Sequence, residues 1–518
     1  MGTVFVVITV LFLFFLFKND VKRIVNCIFP SQSIVELNLS NEQKLEDFES
    51  LYEIIETSFP NLEEVSETFG VDFKSRKSKY EELIANTSTD FQYYCTMIAI
   101  MEDLASYHTG GSFPNYDNII AYNCYNLDNL SADRNLKPFV EYWNKTIRDH
   151  CEQYRDVKIA EFRYIDGEYV YDSKWSSEKY SNLQGFRITA INNQNIDEYI
   201  LENISIYKTQ YDSLHNKAYK RVLTFNESIG NSVEVNLVND SNETIKTNFC
   251  VSLEMEMVNT YYPEFLDESN TTSSDRVTSY FDKARNVIYI QIRNFSSNEK
   301  NALKSHLKGI DDKTKIIIDL RDNFGGNPNY AKNNIYPYLY NNDIDFVQKW
   351  FVPSSKTNDV ENKNWRNRIM YDIEETNGGY IYMSTTEYKG GKKDYSDNVY
   401  YLVNKATASA ADEYIAMVKE NNLGTIVGVS TAGEGLGGSF YIDMLENSGF
   451  VFTYYPCQSV DNKGKNNSIY GTEPDICIPQ STDSFYKQRE MEKKGIDTES
   501  YDNRLIWDNV FLGVLNLH

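Results

Sequence analysis

The sequence predicts an α/β protein with a helical region at its N-terminus and a small, mostly-β domain in its middle. Three changes of pattern along the 518 residues support this prediction. Apolar residues recur at helical spacing from Glu42 to Leu104, and short alternating runs that end in polar turns fill 164–253. From Asn286 onward, strand-like apolar runs are separated by helical segments, which is typical of an α/β unit. At about 150 residues per domain, the length agrees with roughly three domains.

The first element is the uncharged, apolar segment Thr3–Phe17. It is shorter than the ~20 residues that a transmembrane helix needs, but it has the length of a signal-peptide core. No Lys or Arg precedes it and no A-x-A-like cleavage site follows it, so a cleaved signal peptide and a retained signal anchor both stay open for residues 1–31. We expect a secreted protein or one in the lumen of the secretory pathway, with membrane attachment only through residues 3–17.

Glycosylation acceptor sites agree with that compartment, and we expect several of them to be occupied. The Asn-x-Ser/Thr sites are Asn38, Asn86, Asn129, Asn144, Asn203, Asn226, Asn239, Asn242, Asn270, Asn294 and Asn466.

The cysteines carry no C-x-x-C motif, which excludes a zinc knuckle and a thioredoxin-like site. In an oxidising compartment some of the seven are expected to pair. Proximity in the sequence suggests Cys457 with Cys477, and two among Cys95, Cys124 and Cys151, with an odd cysteine left over.

The composition is that of a globular protein with an acidic surface. Lys and Arg total 51 while Asp and Glu total 75, which gives a formal charge of −24 and a pI near 4.7. Such a chain has no positive field for phosphate backbones or for an anionic membrane surface, so nucleic acid is not an expected partner. The sequence carries no indication of an oligomeric state.

The N-terminal helical region is assigned to 32–150, with breaks at Pro60 and Gly70. The small β domain is assigned to 160–255 because runs such as 187–191 and 233–238 alternate and then end in Asn-rich turns.

The α/β region is assigned to 280–485 and a C-terminal extension to 486–518. Its predicted strands are Val287–Ile292, Lys315–Asp319, Val399–Val403 and Thr425–Val429. Polar stretches predict loops at 267–275, 354–363 and 388–397.

Two motifs in this region point to chemistry. Asp319–Gly326 (DLRDNFGG) directly follows a strand, and its adjacent glycines let backbone N–H groups approach a ligand closely, as in an oxyanion hole. In Asn404–Tyr414 (NKATASAADEY), a strand runs through small residues into a helix and places Ser409 at the helix N-terminus. There the helix dipole favours negative charge, although a lone Ser at this place is most simply a helix cap.

Taken together and in this order, the motifs resemble those of the tail-specific protease family, which includes the C-terminal-processing peptidases and the tricorn core peptidase. The motifs of this family have the patterns D-L-R-x-N-x-G-G, T-A-S-A-x-E, T-x-G-x-G, G-x-x-P-D and L-x-D-x-H-T. The β domain of the family carries the patterns G-D-x-I and I-N-G. The similar segments here are Asp319–Gly326, Thr407–Asp412, Thr431–Gly435, Gly471–Asp475, Asp103–Thr109, Gly185–Ile188 and Ile191–Asn193.

The resemblance implies a crotonase-like α/β catalytic core, a PDZ-like β domain and peptide or protein substrates. The sequence contains no metal-ligand cluster and no G-x-x-x-x-G-K-S/T motif, so we expect no cofactor or metal. Ser409 matches the nucleophile, and the N–H groups of Ala410 and of Gly325 or Gly326 would form the oxyanion hole. His108 matches the general base of the tricorn-like branch, and it is the only one of the five histidines that lies in such a motif.

The chain departs from the family at two places. Glu434 occupies the place of the lysine base of the C-terminal-processing branch, which excludes a Ser–Lys dyad. Ser468 occupies the place of the acid that orients the histidine in the tricorn-like branch. Glu434 or Asp461 would have to supply that carboxylate from a nearby loop, and the sequence places neither against His108.

Two hypotheses therefore stay open. The first is a secreted or lumenal serine endopeptidase that uses Ser409 and His108. The second is an inactive homologue that binds peptide or an apolar ligand, as the retinoid-binding proteins of the eye, built from the same core, do. A carboxylate within hydrogen-bond reach of His108 favours the enzyme, and its absence favours the binding protein.

Overall fold

The computed structural model of the protein describes residues 35–111, 137–154, 156–266, 277–295, 302–362, 367–438 and 440–517. The apolar segment 3–17, the predicted loop at 267–275 and Cys124 lie outside these residues, as do the acceptor sites at 129 and 270. Within the described residues, no helix combines the length and the apolar character needed to cross a membrane.

The helices are α1 (Asn41–Ser58), α2 (Leu62–Phe69), α3 (Lys77–Ala85), α4 (Asp90–Glu102), α5 (Lys137–Tyr154), α6 (Ile196–Glu202), α7 (Leu253–Leu266), α8 (Ala302–His306), α9 (Asn329–Asn334), α10 (Tyr336–Leu339), α11 (Lys356–Asn362), α12 (Asn367–Met370), α13 (Ala410–Glu420), α14 (Asn467–Tyr470), α15 (Thr482–Lys493), α16 (Tyr501–Trp507) and α17 (Asn509–Leu515). Short 3-10 helices occupy Glu178–Leu183 and Ser396–Asn398.

The strands are β1 (Gly110–Gly111), β2 (Ile159–Ile165), β3 (Glu168–Tyr171), β4 (Phe186–Ile191), β5 (Gln194–Asn195), β6 (Thr209–Asp212), β7 (Lys217–Lys220), β8 (Val222–Asn226), β9 (Asn231–Asn239), β10 (Thr244–Val251), β11 (Val277–Asp282), β12 (Val287–Ile292), β13 (Lys315–Asp319), β14 (Ile344–Pro353), β15 (Asp372–Thr376), β16 (Gly379–Tyr388), β17 (Val399–Val403), β18 (Thr425–Gly428), β19 (Tyr441–Met444), β20 (Val451–Tyr454), β21 (Gln458–Ser459) and β22 (Ile476–Cys477).

The N-terminal helices pack around α4, which is buried along nearly its whole length. A capping box at Ser40 starts α1, and Gly70 ends α2 with a φ of 70°. Their core continues into strand β20 through Phe450 and Phe452, and β1 pairs with β20 in an antiparallel register. This packing places the turn between α4 and β1, which contains His108, against the second half of the chain.

Strands β2 to β5 and β8 to β10 form a closed, barrel-like sheet in the middle of the chain. Its order is β3-β2-β8-β10-β9-β4-β5, and a further pairing of β3 with β4 closes the ring. Alternate side chains of β9, such as Val233, Val235 and Leu237, fill the inside, which is the period-2 pattern that the sequence displays. The two-stranded ribbon β6-β7 extends from this barrel.

The α/β region is built on a six-stranded sheet of order β11-β12-β13-β17-β18-β22, in which all pairs but β11-β12 are parallel. The four predicted strands are β12, β13, β17 and β18. They are buried on both faces, as their continuous apolar runs require. Helix α13 packs on one face, and α17 covers the other with Val510, Phe511 and Val514. The carboxyl ends of β13 and β17 lead into the two chemical motifs.

Two expectations about the segment between β13 and β17 are corrected. Not all of the structure between these strands is helical, because β14, β15 and β16 form an antiparallel sheet with β21. The polar run 354–363 is not a loop but contains α11, whose start is capped by a hydrogen bond from Asn358 N–H to Ser355 Oγ (2.9 Å). Asn358 is fully buried and donates to the carbonyls of Ser58 and Pro353, so its polarity serves an internal contact.

The predicted disulfides are also wrong for the described cysteines. Cys95, Cys151, Cys250, Cys457 and Cys477 are all free thiols. Cys457 is buried whereas Cys477 is exposed on β22, so closeness in sequence did not bring them together.

Candidate active site

Ser409 lies at the sharp turn between strand β17 and helix α13. Its backbone angles, φ 54° and ψ −129°, fall outside the regions that residues with a Cβ normally occupy, and such strain costs about 1–3 kcal/mol. The side chain makes no capping hydrogen bond to the helix, so Ser409 does not act as an ordinary N-cap. A serine on a strained strand-to-helix turn presents its hydroxyl outward, the geometry of nucleophilic serines in other hydrolases.

Hydrogen bonds hold this turn between two loops. Thr407 Oγ1 donates to the carbonyl of Leu320 (2.8 Å), and Ala408 N–H donates to the carbonyl of Asn323 (3.1 Å). On the other side, Ser409 N–H donates to the carbonyl of Gly433 (3.2 Å). The first loop carries the glycine pair, and the second carries Glu434.

The glycine pair lies directly against Ser409. A Cβ on Gly325 would come within 2.8 Å of Ala410 N and 3.0 Å of Ser409 Cβ, and its φ of +89° also favours glycine. Its N–H already donates to Asn323 Oδ1 (2.9 Å). The Gly325 carbonyl accepts from Phe295 N–H (2.9 Å), and because the peptide is planar the Gly326 N–H points the opposite way. Ala410 is the first helical residue, so its N–H has no intrahelical acceptor.

Of the two carboxylates proposed to orient His108, the structure brings Glu434 to it. Glu434 Oε2 lies 2.8 Å from His108 Nδ1 and accepts the backbone N–H of the same residue at 2.6 Å. Glu434 Oε1 accepts from Ser106 Oγ (2.6 Å) and from Tyr107 N–H (3.0 Å). The carboxylate is therefore fixed by four donors, and its side chain is 1% exposed.

The charge on Glu434 is stabilised by these donors. Burial acts to raise the pKa of this carboxyl, but hydrogen bonds from His108 and Ser106 and attraction to the imidazole lower its pKa below the ordinary value. An ionised Glu434 makes His108 Nδ1 a donor, which leaves Nε2 as the ring atom that can accept a proton.

The loop that carries Glu434 is fixed by Asp412, which sequence analysis did not single out. Asp412 is fully buried on α13, one helical turn beyond Ser409. It accepts hydrogen bonds from Thr431 Oγ1 (2.5 Å), Thr472 Oγ1 (2.7 Å) and Gly435 N–H (3.2 Å). Ser409 and the orienting carboxylate are thus positioned by the same helix. Its place in the motif around Ser409 was the only sequence signal for Asp412.

Aromatic rings surround the imidazole. Phe440 stacks on His108 with ring centroids 5.3 Å apart, and Tyr455 lies 5.5 Å away. Tyr107 meets it edge-on and stacks with the exposed Phe324 of the glycine loop. These rings remove water from the His108–Glu434 contact, which strengthens it.

The other acid proposed for His108 is placed elsewhere. Asp461 Oδ1 accepts the N–H groups of Lys463 and Lys465 (both 2.9 Å) and so organises its own turn. Ser468 Oγ lies 3.0 Å from Ser459 Oγ. Neither has a contact with His108 among the described residues. Nor does any group of three or more His, Cys, Asp or Glu side chains in the described part of the chain have the geometry to hold a metal ion.

Comparison with known proteins matches part of the second half of the chain to a peptidase family. Residues 286–478 match the model of peptidase family S41. That range contains Ser409, the glycine pair and Glu434, whereas His108 precedes it. No curated protein sequence matches the chain.

Solved structures align with this chain at low sequence identity. A serine-to-alanine mutant of CPAF aligns with a TM-score of 0.50 and 12% identity, covering 92% of this chain and 98% of that one. Mature CPAF gives 0.48 and 12%, with 90% and 98% covered. A photosystem II D1 C-terminal processing protease gives 0.34 and 13%, with 86% and 94% covered. The first of these alignments supports a shared mixed α/β fold along most of both chains.

Proposed function

We propose that this chain, whose residues 286–478 match the model of peptidase family S41, is a serine endopeptidase with Ser409 as nucleophile, His108 as base and Glu434 as orienting acid. The observation that carries this proposal is the 2.8 Å contact between Glu434 Oε2 and His108 Nδ1. A carboxylate within hydrogen-bond reach of His108 favours the enzyme over the alternative of an inactive homologue that binds peptide or an apolar ligand.

Each residue has a defined task in the proposed reaction. Ser409 Oγ attacks the peptide carbonyl carbon while His108 Nε2 takes the hydroxyl proton. The negative charge on the carbonyl oxygen is met by the N–H groups of Ala410 and Gly326. His108 returns the proton to the leaving amine, and the acyl-enzyme is then hydrolysed by a water that His108 deprotonates. Glu434 holds the imidazole tautomer and stabilises the imidazolium in both halves.

The finer architecture belongs to the same proposal. We assign the core as crotonase-like and the barrel formed by β2 to β5 and β8 to β10 as PDZ-like, on the sequence resemblance. In that role the barrel helps to present the substrate chain to Ser409.

The proposal is tested by locating the reactive serine. The purified protein is treated with a fluorophosphonate probe and digested, and the adduct is mapped by mass spectrometry. We expect one adduct, on Ser409, that is absent from Ser409→Ala and present in Ser396→Ala, a control on a surface turn. An adduct on another serine, or none under conditions that label an active serine peptidase, would refute the proposal.

We also propose a secretory or extracellular location, which rests on the segment 3–17 and the glycosylation sites. The acceptor sites differ in whether the asparagine side-chain amide is buried or exposed. Asn226 and Asn466 are buried, and their Nδ2 atoms donate to Cys250 O (3.0 Å) and Asn61 Oδ1 (3.0 Å), respectively. A glycan on either amide would remove that packing, whereas Asn86 is exposed.

Mass spectrometry of protein expressed through the secretory pathway is therefore expected to find glycans at exposed sites such as Asn86 and none at Asn226 or Asn466. A glycan at Asn466 would contradict the packing described here. If protein from the native source carries no glycan at any of these sites, the proposed secretory or extracellular location is contradicted.

A further inference from the structure

Lys208 connects the middle of the chain to the turn that carries His108. Lys208, which directly precedes β6, donates from Nζ to the carbonyl oxygens of Ser106 and Thr109, the latter at 3.0 Å. The same ammonium group pairs with Glu102 Oε2 at 3.0 Å, and Glu102 is buried at the end of α4. Lys208 therefore links the end of α4 to two residues of the turn, Ser106 before His108 and Thr109 after it.

The segment that carries Lys208 is itself fixed to the middle of the chain. Ile206 N–H donates to Glu256 Oε2 of α7 (3.0 Å), and Tyr207 OH lies 2.9 Å from Thr224 Oγ1 of β8. Lys220, buried in β7, donates to the carbonyl of Tyr207 (3.3 Å). A displacement of the barrel would consequently be transmitted to the Lys208 ammonium group.

Lys208 and Glu434 hold opposite ends of one peptide group. The peptide between Ser106 and Tyr107 gives its carbonyl to Lys208 and its N–H to Glu434. Because a peptide group is planar, these two contacts fix its orientation from both sides. The Lys208 ammonium group approaches this peptide from the segment before β6, and the Glu434 carboxylate approaches it from the α/β region. His108 is the next residue after this peptide, so the orientation of the peptide bears on the position of the imidazole.

We propose that Lys208 is a positioning residue for His108, so that the placement of the barrel determines how well the imidazole is aligned with Ser409. This inference rests on the proposed function, since it requires His108 to be the base. Lys208 does not touch the reacting atoms. It acts through the backbone of the turn, and a mismatch of about 1 Å in a reacting group is enough to cost about 10²-fold in rate.

The test compares the rate at which the probe labels Ser409 in wild type and variants. Lys208→Met alone would leave Glu102 as an unpaired buried carboxylate, so the variant pairs Lys208→Met with Glu102→Gln. We expect the limiting labelling rate to fall about 10- to 100-fold, with little change in the probe concentration that gives half that rate. Lys217→Met, which removes a neighbouring ion pair with Asp197 (2.9 Å) and leaves the turn untouched, is expected to label within about twofold of wild type.

Hydrogen exchange supplies a second readout that does not depend on activity. In the double variant, the amides of Tyr107 and His108 are expected to exchange faster while the barrel strands keep their protection. A wild-type protein that labels, with a double variant that labels equally fast and exchanges equally slowly, overturns the role of Lys208 and leaves the proposed function intact. A wild-type protein that does not label at all refutes the proposed function and this inference with it.

Discussion

Replacing Glu434 with glutamine is expected to slow labelling of Ser409 by about 10³–10⁴-fold. The carboxylate accepts from four donors, namely Ser106 Oγ, the N–H groups of Tyr107 and His108, and His108 Nδ1. A glutamine of the same shape offers one acceptor oxygen, and its NH₂ faces donors. It also removes the negative charge that stabilises the imidazolium. The measurement is the second-order labelling rate, with Glu446→Gln, an exposed glutamate, as the matched control.

The same substitution has a pH-dependent effect on stability. The native pKa of Glu434 lies below its ordinary value of 4.5 because hydrogen bonds from His108 and Ser106 and attraction to the imidazole outweigh burial. A carboxyl with a lowered native pKa stabilises the fold above its ordinary pKa, and the contribution is lost as the pH falls through the native value. Urea unfolding should therefore separate wild type from Glu434→Gln at neutral pH and bring them closer at about pH 3. An equal difference at both pH values would contradict the lowered pKa.

Replacing Gly325 with alanine is expected to slow labelling by about 10²–10³-fold, comparable to the loss of an oxyanion donor. The new Cβ would lie 2.7 Å from the carbonyl oxygen of Ala408 and 2.8 Å from Ala410 N. Both neighbours are backbone atoms, so either the glycine loop or the turn at Ser409 has to move. The movement disturbs the two N–H groups proposed to meet the oxyanion.

Gly309→Ala is the matched control for this substitution. Gly309 has nearly the same φ, +92° against +89°, but nothing lies within 4 Å of the Cβ that would be added. The control carries the cost of a positive φ without the clash, about 1 kcal/mol of stability, and should label at the wild-type rate. If both variants lose activity equally, the effect belongs to backbone strain and not to the contact with Ser409.

The parts of the site that lie next to strands and helices were predictable from the sequence. Ser409 and the glycine pair each follow a buried strand, but the resemblance of their motifs to the tail-specific protease family singled them out, because a lone serine at a helix start is most simply a cap. The carboxylate partner of His108 was predictable only as a choice between Glu434 and Asp461. Both are loop residues far from His108 in sequence, and only the tertiary fold decides which one meets it.

Other features carry no local signal at all. The sequence around Lys208 does not distinguish it from other lysines in polar stretches. Its proposed role depends on the two carbonyl groups that it contacts, which lie about 100 residues earlier in the chain. The polar sequence around Asn358 predicts a loop, although Asn358 is buried inside a capped helix. Ile344–Pro353 alternates in burial as a half-buried strand does, but β14 was not among the predicted strands.

The most direct test of the account is a double-mutant cycle on His108 and Glu434 that uses the labelling rate of Ser409 as the readout. If Glu434 acts only through the imidazole, Glu434→Gln slows labelling by about 10³-fold or more when His108 is present and causes no further loss in the His108→Ala background. If the two losses multiply, Glu434 acts independently of His108, and the proposed Ser409–His108–Glu434 unit is contradicted.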